Sequence, residues 1–592
     1  MIHLYLEYYL KRCDDGTIAV KVPVESYVVV ALSKYLRHPA IGGDLLVNFV
    51  QCKTGVEDRR DSVWLNLTEY EVSFFQAGEW PTTATFCQLP TLKNDAWIVS
   101  GLCGICRHIT KFHQSYSPNP KNILGFKGNT LLAPAEVSMW TKFCEVDVEA
   151  CVREVLQLPS STSIVLPTDL GKLESHLAQP LKVHNIYKLV NNVQNVKVSS
   201  SQEYEKLSGE TNRFNFHANH KFAEGYDKTL ADVIIFICIH LISKRIPKER
   251  LLDHLPRIAS WYDRVVSDDN CELLEVCEEL LLNDQTQLGV LEAEQLEVEV
   301  PTSFSLYKAD TKKLNLLGDK VLTTNQPEVL GILEKVKRLD LQVESSPNDR
   351  DDNLFEWDAV PLDAKPEGGK LPTKRIDRKK HQLECLANEV IALAKPGDII
   401  VDFCSGTGHL GILLAFLLPD CTIYLLENKE ESQQLAMDRV ERLSLKNVVY
   451  FRCNLDYFKA RFDIGVSLHA CGVASDIVLE KCFTQRAKFV CCPCCYGKLY
   501  EFDRIRYPRS RVFQESELLL KEYLCLAHCA DQTHDLDNSR TNVEKSHQGF
   551  YCMDIIDKDR LLLAEELGYS VVQKRLRPEN CTPKNRLLIG TL

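Results

Sequence analysis

Hydrophobic and polar positions alternate in three different rhythms along this chain. Up to about residue 120, strand-length and helix-length runs are mixed. Leu4 to Leu10, Ile18 to Val24 and Leu45 to Val50 read as strands, and Tyr27 to Leu36 as a helix. From about Gly125 to Val266 the period is helical. Its sharpest piece, Phe222 to Ile242, sets Thr229 and Asp232 at the N-cap and N3 positions of a capping box ahead of a long apolar run, which predicts a buried helix. From Ile399 onward, strands and helices take turns. Ile399–Asp402, Thr422–Glu427, Val448–Arg452, Phe462–Leu468 and Ala487–Cys492 read as strands, and Ser432–Leu443 and Arg560–Gly568 are among the helices. That rhythm predicts a parallel, doubly wound sheet. Ser570–Arg577 and Arg586–Leu592 suit an antiparallel hairpin at one edge of it.

The connections are less regular. Val196 to Asn219 is polar and aperiodic and reads as a loop insertion. Ser267 to Lys370 reads as a linker with mobile sections, carrying candidate helices at Leu273–Leu282 and Val329–Leu339 and the run S-S-P-N-D-R-D-D-N. Lys374, Arg375, Arg378, Lys379 and Lys380 then precede an amphipathic segment, Leu383–Ala394. They form either a solvated helix face or a patch for an anionic acceptor such as RNA. A chain of 592 residues is too long for one core. We expect domains at residues 1–120, 121–270 and 373–592, with 271–372 as linker.

Composition narrows the function classes. A net charge of −12 argues against nucleic-acid binding by the whole surface, leaving only local basic patches. No signal-like segment and no membrane-length apolar run is visible, and the 24 cysteines are dispersed, so a cytoplasmic protein with reduced thiols and no membrane partner is expected.

The chemistry concentrates in I-I-V-D-F-C-S-G-T-G-H-L-G, Ile399 to Gly411. A strand ends in Asp402, and a turn of Cys404, Ser405, Gly406 and Gly408 leads into an apolar helix. Glycines there admit positive φ and close backbone approach, and the helix start offers unpaired N–H groups. An ordinary strand-to-helix turn has the same pattern, so the flanking acids matter. Glu427 ends the second strand 19 residues past Gly408, where a carboxylate can accept both hydroxyls of a ribose. Asp456 follows the third strand, where it could accept from an adenine amino group.

This series of acids resembles the S-adenosylmethionine-dependent methyltransferases of the seven-stranded, Rossmann-like class, from which it departs by having Cys404 where the first glycine of D-x-G-x-G-x-G would stand. S-L-H-A-C-G-V-A-S-D (467–476) and C-C-P-C-C-Y-G (491–497) are similar to a subfamily of that class that includes tRNA methyltransferases. The resemblance implies S-adenosylmethionine as cofactor and places His469, Cys471, Cys494, Cys495 and Tyr496 on the acceptor side. His469 would accept a proton with a pKa naturally near working pH. The cysteine run reads as active-site wall, as a metal or reactive-thiolate site, or as packing; its tight spacing is set against a standard zinc site, and no metal is expected.

The front half is similar to glutathione transferases. Q-L-P-T-L (88–92), with Pro90 as the family's cis proline, and I-V-S-G-L-C-G-I-C-R-H-I (98–109) resemble their thioredoxin-like domain. The G-x-x-x-T-x-A-D signature before Val233 and L-P-R-I-A-S-W-Y-D-R-V (255–265) resemble the helical domain that follows. Leu102 stands where the family places the serine that binds glutathione, and an isobutyl group cannot donate to a carboxylate, so glutathione is not expected to bind. Cys13, Ser26 and Tyr27 read as surface or packing residues, since no base is identifiable beside them. The expected function is methyl transfer to RNA or protein, with the front half as a recognition or scaffolding module that engages a protein partner or a second copy. A glutathione transferase and a noncatalytic protein retaining both folds are the alternatives.

Overall fold

The computed structural model describes residues 2–14, 16–36, 45–53, 61–68, 70–117, 120–135, 138–159, 163–179, 181, 220–282, 289–291, 295–306, 325–341, 354–502, 504–533 and 542–592. The expected loop insertion at 196–219 and the run at 345–353 lie outside the described residues. The chain is a mixed α/β protein of two compact units, one built from Met1–Trp80 and Gly101–Ala309, the other from Pro81–Ser100 and Asp310–Leu592.

In the first unit, Ile2–Tyr8 pairs in parallel with Leu45–Gln51, which pairs with Val72–Phe75. Leu10–Asp14, Thr17–Pro23 and Ser62–Asn66 make a separate antiparallel sheet. The helix Val24–Leu36 is buried along most of its length because its apolar residues surround it on nearly every side. Tyr27 is part of that core, its hydroxyl donating to Cys277 O at 3.0 Å, and Ser26 Oγ donates to Glu7 O. Among the described residues, each hydroxyl donates to a backbone carbonyl and not to a base. Helix Leu230–Arg245 is enclosed, and the capping box forms: Asp232 accepts from Thr229 N at 2.8 Å and, with its other oxygen, from Ala223 N and Trp261 Nε1, both at 2.7 Å.

Helix Leu102–Tyr116 begins at Gly101, whose φ is 101°. Leu102 N and Cys103 N donate to the two carboxylate oxygens of Glu145, at 2.9 and 2.6 Å, and Leu102 itself is buried. The helix start thus holds a carboxylate supplied by the chain, which satisfies the N–H groups and the dipole that would receive a ligand carboxylate. The full chain is expected to pass unretained over glutathione resin. Leu102→Ser alone should not restore retention, because Glu145 still occupies both amides; elution of the variant by free glutathione would contradict this.

In the second unit the strands are β1 (Thr91–Asn94), β2 (Trp97–Ser100), β3 (Ile399–Phe403), β4 (Thr422–Leu426), β5 (Val448–Arg452), β6 (Ile464–Cys471), β7 (Lys488–Cys494), β8 (Ser570–Arg575) and β9 (Arg586–Thr591). They lie in the order β8-β9-β7-β6-β3-β4-β5-β2-β1. The run from β3 to β7 is parallel, β9 is antiparallel to β7, and β8 is the outer strand of the expected hairpin. Successive residues fill opposite faces. Ile400, Leu425, Val466 and Cys492 pack on one side with helices Ile376–Leu393 and His409–Leu417. Val401, Phe403, Phe451 and Cys491 pack on the other with Val478 and Leu561. The connection from β5 to β6 crosses back over β3 and β4, so the order reverses beside β3, and the loops after β3 and β6 diverge there.

Three departures from the expected organisation have a common cause, backbone or apolar surface that finds its partner far away in sequence. Strand β2, expected in a front domain ending at residue 120, pairs in parallel with β5, from Trp97↔Tyr450 to Val99↔Arg452 within its ladder. In the stretch 271–372, helix Glu272–Leu280 belongs to the first unit. Helix Gln326–Lys337 buries Val329, Ile332, Leu333 and Val336 among residues such as Phe513, Leu526 and Ile555 of the second. Residues 354–375 form a series of 3₁₀ turns whose Val360 and Ala364 join the core beside Leu383 and Leu410. The described part of the expected linker is therefore packed structure.

Candidate functional site

The turn after β3 is held in an unusual backbone shape. Cys404, Gly406 and Gly408 all have positive φ, at 56°, 56° and 75°. Gly408 has to be glycine for space as well, since a Cβ there would lie 2.9 Å from Ile412 Cδ1 and 3.0 Å from Ala436 Cβ. At Gly406, by contrast, a Cβ would meet no heavy atom within 4 Å, so this backbone faces open room. Cys404 supplies the left-handed residue where a glycine would be easier, and its half-buried side chain packs beside the aromatic core.

Both acids that flank the turn hold it. Asp402 is buried and accepts from Gly411 N at 2.8 Å, pinning the first turn of helix His409–Leu417; burial pushes its pKa up to about 7, against the pull of Lys379. Its role is to brace the helix from beneath. Glu427 accepts from Gly406 N at 2.8 Å and from Lys429 N at 2.9 Å, one bond to each oxygen. Each oxygen keeps a lone pair for a further donor. Asp456 lies in the 3₁₀ turn Leu455–Tyr457 beyond β5, where Lys481 Nζ donates to the carbonyls of Asp456 and Phe458 and fixes the turn.

Several buried polar atoms here have no hydrogen-bond partner among the described residues: Ser405 Oγ, both amide atoms of Gln433, and His409 Nε2. Gln433 lies one turn before Ala436 and so shares its helix face, the face that meets Gly408. Buried groups of this kind cost about 1–3 kcal/mol each when left unsatisfied. The open backbone at Gly406 and the unpaired atoms of Ser405 and Gln433 fit a ligand that brings its own donors and acceptors, whereas His409 Nε2 lies against Gly369.

The 3₁₀ segment 354–375 closes against the same loop. Arg439, almost wholly buried, donates to Thr407 O at 2.9 Å, to Asp363 O at 2.9 Å and to Lys365 O at 3.1 Å, joining the loop to the segment. A Cβ on Gly369 would lie 2.0 Å from His409 Cε1, so only glycine lets the segment seat there. Lys379 and Gln382 lie on the inward stripe of helix Ile376–Leu393 and were missed as site residues because they sit in, or just after, a run that reads as basic surface. Burial lowers the Lys379 pKa to about 8, with Asp402 and Cys492 opposing.

Across the cleft end of the sheet, His469 sits in β6 with φ at 71°, its Nε2 3.1 Å from Gln382 Oε1. An acceptor at that distance selects the Nε2–H tautomer and leaves Nδ1 as the proton acceptor. The expectation of a pKa near working pH is corrected: burial first, then Lys379, lowers it to about 4, so the ring is neutral and a weak base. His409 is lowered to about 3, by burial, Arg439 and Lys379. For a histidine with a lowered folded pKa, the unfolded chain binds a proton near pH 6.5 that the folded chain refuses. The contribution of these two rings should therefore be full above that pH and fall by about 1.4 kcal/mol per pH unit for each of them as pH drops toward 4. The raised carboxyls of Asp402 and Asp557 slope the other way over this range, so the check is urea unfolding of wild type against His409→Gln at pH 7.5 and 5.5; a second-unit transition that moves equally with pH in both proteins would contradict the histidine contribution.

Cys471, Cys494 and Cys495 meet at the ends of β6 and β7, with Cys471 Sγ 3.2 Å from Cys494 Sγ and 3.4 Å from Cys495 Sγ. The neighbouring thiol of Cys494 is the first cause, ahead of Cys495, that brings the exposed Cys471 down to about 6. Tyr496 is corrected as an acceptor-side residue. It is fully buried, its hydroxyl donates to Asp557 at 2.7 Å, and its place is in the core behind the cysteines.

Residues 378–502 match the family model described as a methyltransferase domain. Over 605 aligned residues the chain is 38% identical to the glutathione S-transferase C-terminal domain-containing protein homolog of Drosophila melanogaster, covering 100% of this chain and 99% of that one. It is 32% identical to the glutathione S-transferase C-terminal domain-containing protein of Homo sapiens, covering 90% of this chain and 91% of that one. A shorter stretch of 87 residues, 15% of this chain and 42% of the relative, is 30% identical to ribosomal RNA small subunit methyltransferase G of Phocaeicola vulgatus. With its full length matched and a methyltransferase domain in its second unit, the chain belongs to the family of glutathione S-transferase C-terminal domain-containing proteins.

Proposed function

We propose that this protein is an S-adenosylmethionine-dependent methyltransferase acting on RNA, with its first unit serving recognition or scaffolding. The observation that carries the reading is the pairing of an open Gly406 backbone with Glu427 at the carboxyl ends of β3 and β4, beside the point where strand order reverses. Glu427 would accept the ribose hydroxyls, and Asp456 the adenine amino group. Ser405, Gly406 and Gly408 would line the methionine side, with Cys404 shaping the turn and Asp402 bracing it. When bound, the cofactor supplies an electrophilic methyl group on a sulfonium. The chain's part is alignment, since in-line displacement needs the acceptor held close and on axis. Arg439 and the 3₁₀ segment keep the loop rigid, His469 Nδ1 offers a proton acceptor, and Cys471, Cys494 and Cys495 form the acceptor-side wall.

RNA is favoured as acceptor by the exposed Lys374, Arg375 and Arg378 that lead into the methyltransferase helix Ile376–Leu393, and by the partial likeness to a ribosomal RNA methyltransferase. Glutathione has no place in this reading. Among the described residues no helix is long and apolar enough to cross a membrane. A protein partner or second copy would dock through the first unit. Incubation with methyl-labelled S-adenosylmethionine and total cellular RNA and protein tests the proposal. Label is expected in the RNA fraction and should fall about tenfold or more in Glu427→Ala when the cofactor is limiting. Label confined to protein would overturn the RNA acceptor, and absence of cofactor binding to folded wild type would overturn the whole reading.

A further inference from the structure

We propose that Cys471, Cys494 and Cys495 form a three-thiolate site for one thiophilic divalent cation, zinc in particular, with the fourth coordination position open. Their three sulfur atoms lie within 4.8 Å of one another, and no other such group of three or more histidine, cysteine or carboxylate ligands occurs among the described residues. A Zn–S bond of about 2.3 Å implies a tetrahedral edge of about 3.8 Å between sulfurs. The observed 3.2 and 3.4 Å separations need open by only about half an ångström.

The backbone is built to bring these thiols together. Leu468 pairs with Cys492 and Cys471 with Cys494, so β6 spends three residues where β7 spends two. That bulge, which includes His469 at positive φ, re-aims Cys471 onto its neighbour. Cys495 is itself left-handed, with φ at 53° and ψ at 51°, and this turns its thiol back toward Cys471. Non-glycine residues in such conformations cost about 1–3 kcal/mol each and persist where the surroundings impose them. Here the surroundings do so. Gly472 N donates to Cys494 O at 3.0 Å, and a Cβ on Gly472 would lie 2.5 Å from Lys498 O. Asp531 accepts from Tyr496 N and Gly497 N at 3.0 and 2.8 Å, and is itself held by Lys584 Nζ at 3.0 Å.

The spacing of the C-C-P-C-C run hides this arrangement. It contains two formal C-x-x-C pairs, but Cys491 and Cys492 are buried in the core on opposite faces of strand β7, and neither belongs to the group of three sulfurs. The third ligand comes from β6. Three thiolates around a dication carry one net negative charge, which the nearby Lys498 offsets. Cys471 is exposed, so the fourth position faces solvent at the end of the sheet where the acceptor is proposed to approach. Binding releases the thiol protons of the three ligands. The inference does not depend on methyl transfer.

The test uses the full chain, reduced, stripped with a chelator and titrated anaerobically with cobalt(II). One equivalent is expected to give a thiolate-to-cobalt charge-transfer band and the visible d–d bands of a tetrahedral ion, and one equivalent of zinc should abolish both. Cys471→Ser and Cys495→Ser, each checked for folding by circular dichroism, should lose these bands, while Cys13→Ser, an exposed control, keeps them. Absence of the tetrahedral spectrum in folded wild type, or its persistence in folded Cys471→Ser and Cys495→Ser proteins, would overturn the proposal.

Discussion

Replacing Gly406 by arginine is expected to abolish S-adenosylmethionine binding in a protein that still folds, raising Kd by about a hundredfold or more, equivalent to about 2.8 kcal/mol. The fold should survive because a Cβ at Gly406 meets no heavy atom within 4 Å. Its φ of 56° costs an L-residue about 1–2 kcal/mol, which a unit of this size can absorb. Binding should not survive, because the new side chain enters the room that the backbone leaves open. Isothermal calorimetry on wild type and variant, with thermal unfolding as the control for folding, measures both sides. Unchanged affinity in the variant would remove the cradle from the argument. Glu427→Ala should also weaken binding, by about 1.5–3 kcal/mol, since it deletes charge-assisted hydrogen bonds and blocks nothing.

Arg560→Ala is expected to be the most destabilising single change in the second unit, at about 3–5 kcal/mol. Arg560 is almost wholly buried and donates to both oxygens of Asp476, at 3.0 and 2.7 Å, and to Asp557 at 2.9 Å. Tyr507 and Tyr496 donate to the same two acids. Removing the guanidinium leaves Asp557 buried without its cation and Asp476 with only the more distant Arg509, 3.8 Å away. Asp476 lies in the first turn of the helix that follows Gly472, so the loss should also loosen the cysteine loop. Urea denaturation of the full chain, followed by probes from each unit because two units need not unfold together, should show the second transition moved to lower denaturant. A variant that unfolds with wild-type behaviour would mean that the network contributes little.

The same network marks where sequence reasoning stops. Helix Val543–Glu566 is legible from the sequence only in its last turns, from Arg560, because Asp554, Asp557, Asp559 and Arg560 are charged yet buried and spoil any apolar stripe. Pairing, a property of distant residues, is what places them inside: Asp554 meets Arg586, and Asp559 accepts from Arg509 N and Ser510 N. Lys379 and Gln382 were hidden for the opposite reason, lying in or just after a basic run of which Lys374, Arg375 and Arg378 are exposed. The 3₁₀ segment 354–375 lacks any period and read as linker, although Arg439 ties it to the candidate cofactor loop.

What the sequence determined by itself is local. Apolar runs of strand length, the glycines of the turn after β3 and the acid closing β4 follow from chain-neighbour chemistry, and so do the strand alternation and the cradle's position. The tertiary structure alone decided which distant pieces complete these features: β2 beside β5, Glu145 across the helix start at Leu102, and Cys471 against Cys494 and Cys495. Each of these joins residues whose separation in sequence carries no period. The physical reason is that hydrogen-bond pairing, ion pairing and thiol contact act through space, and a chain pattern records only the contacts that recur at fixed intervals along it.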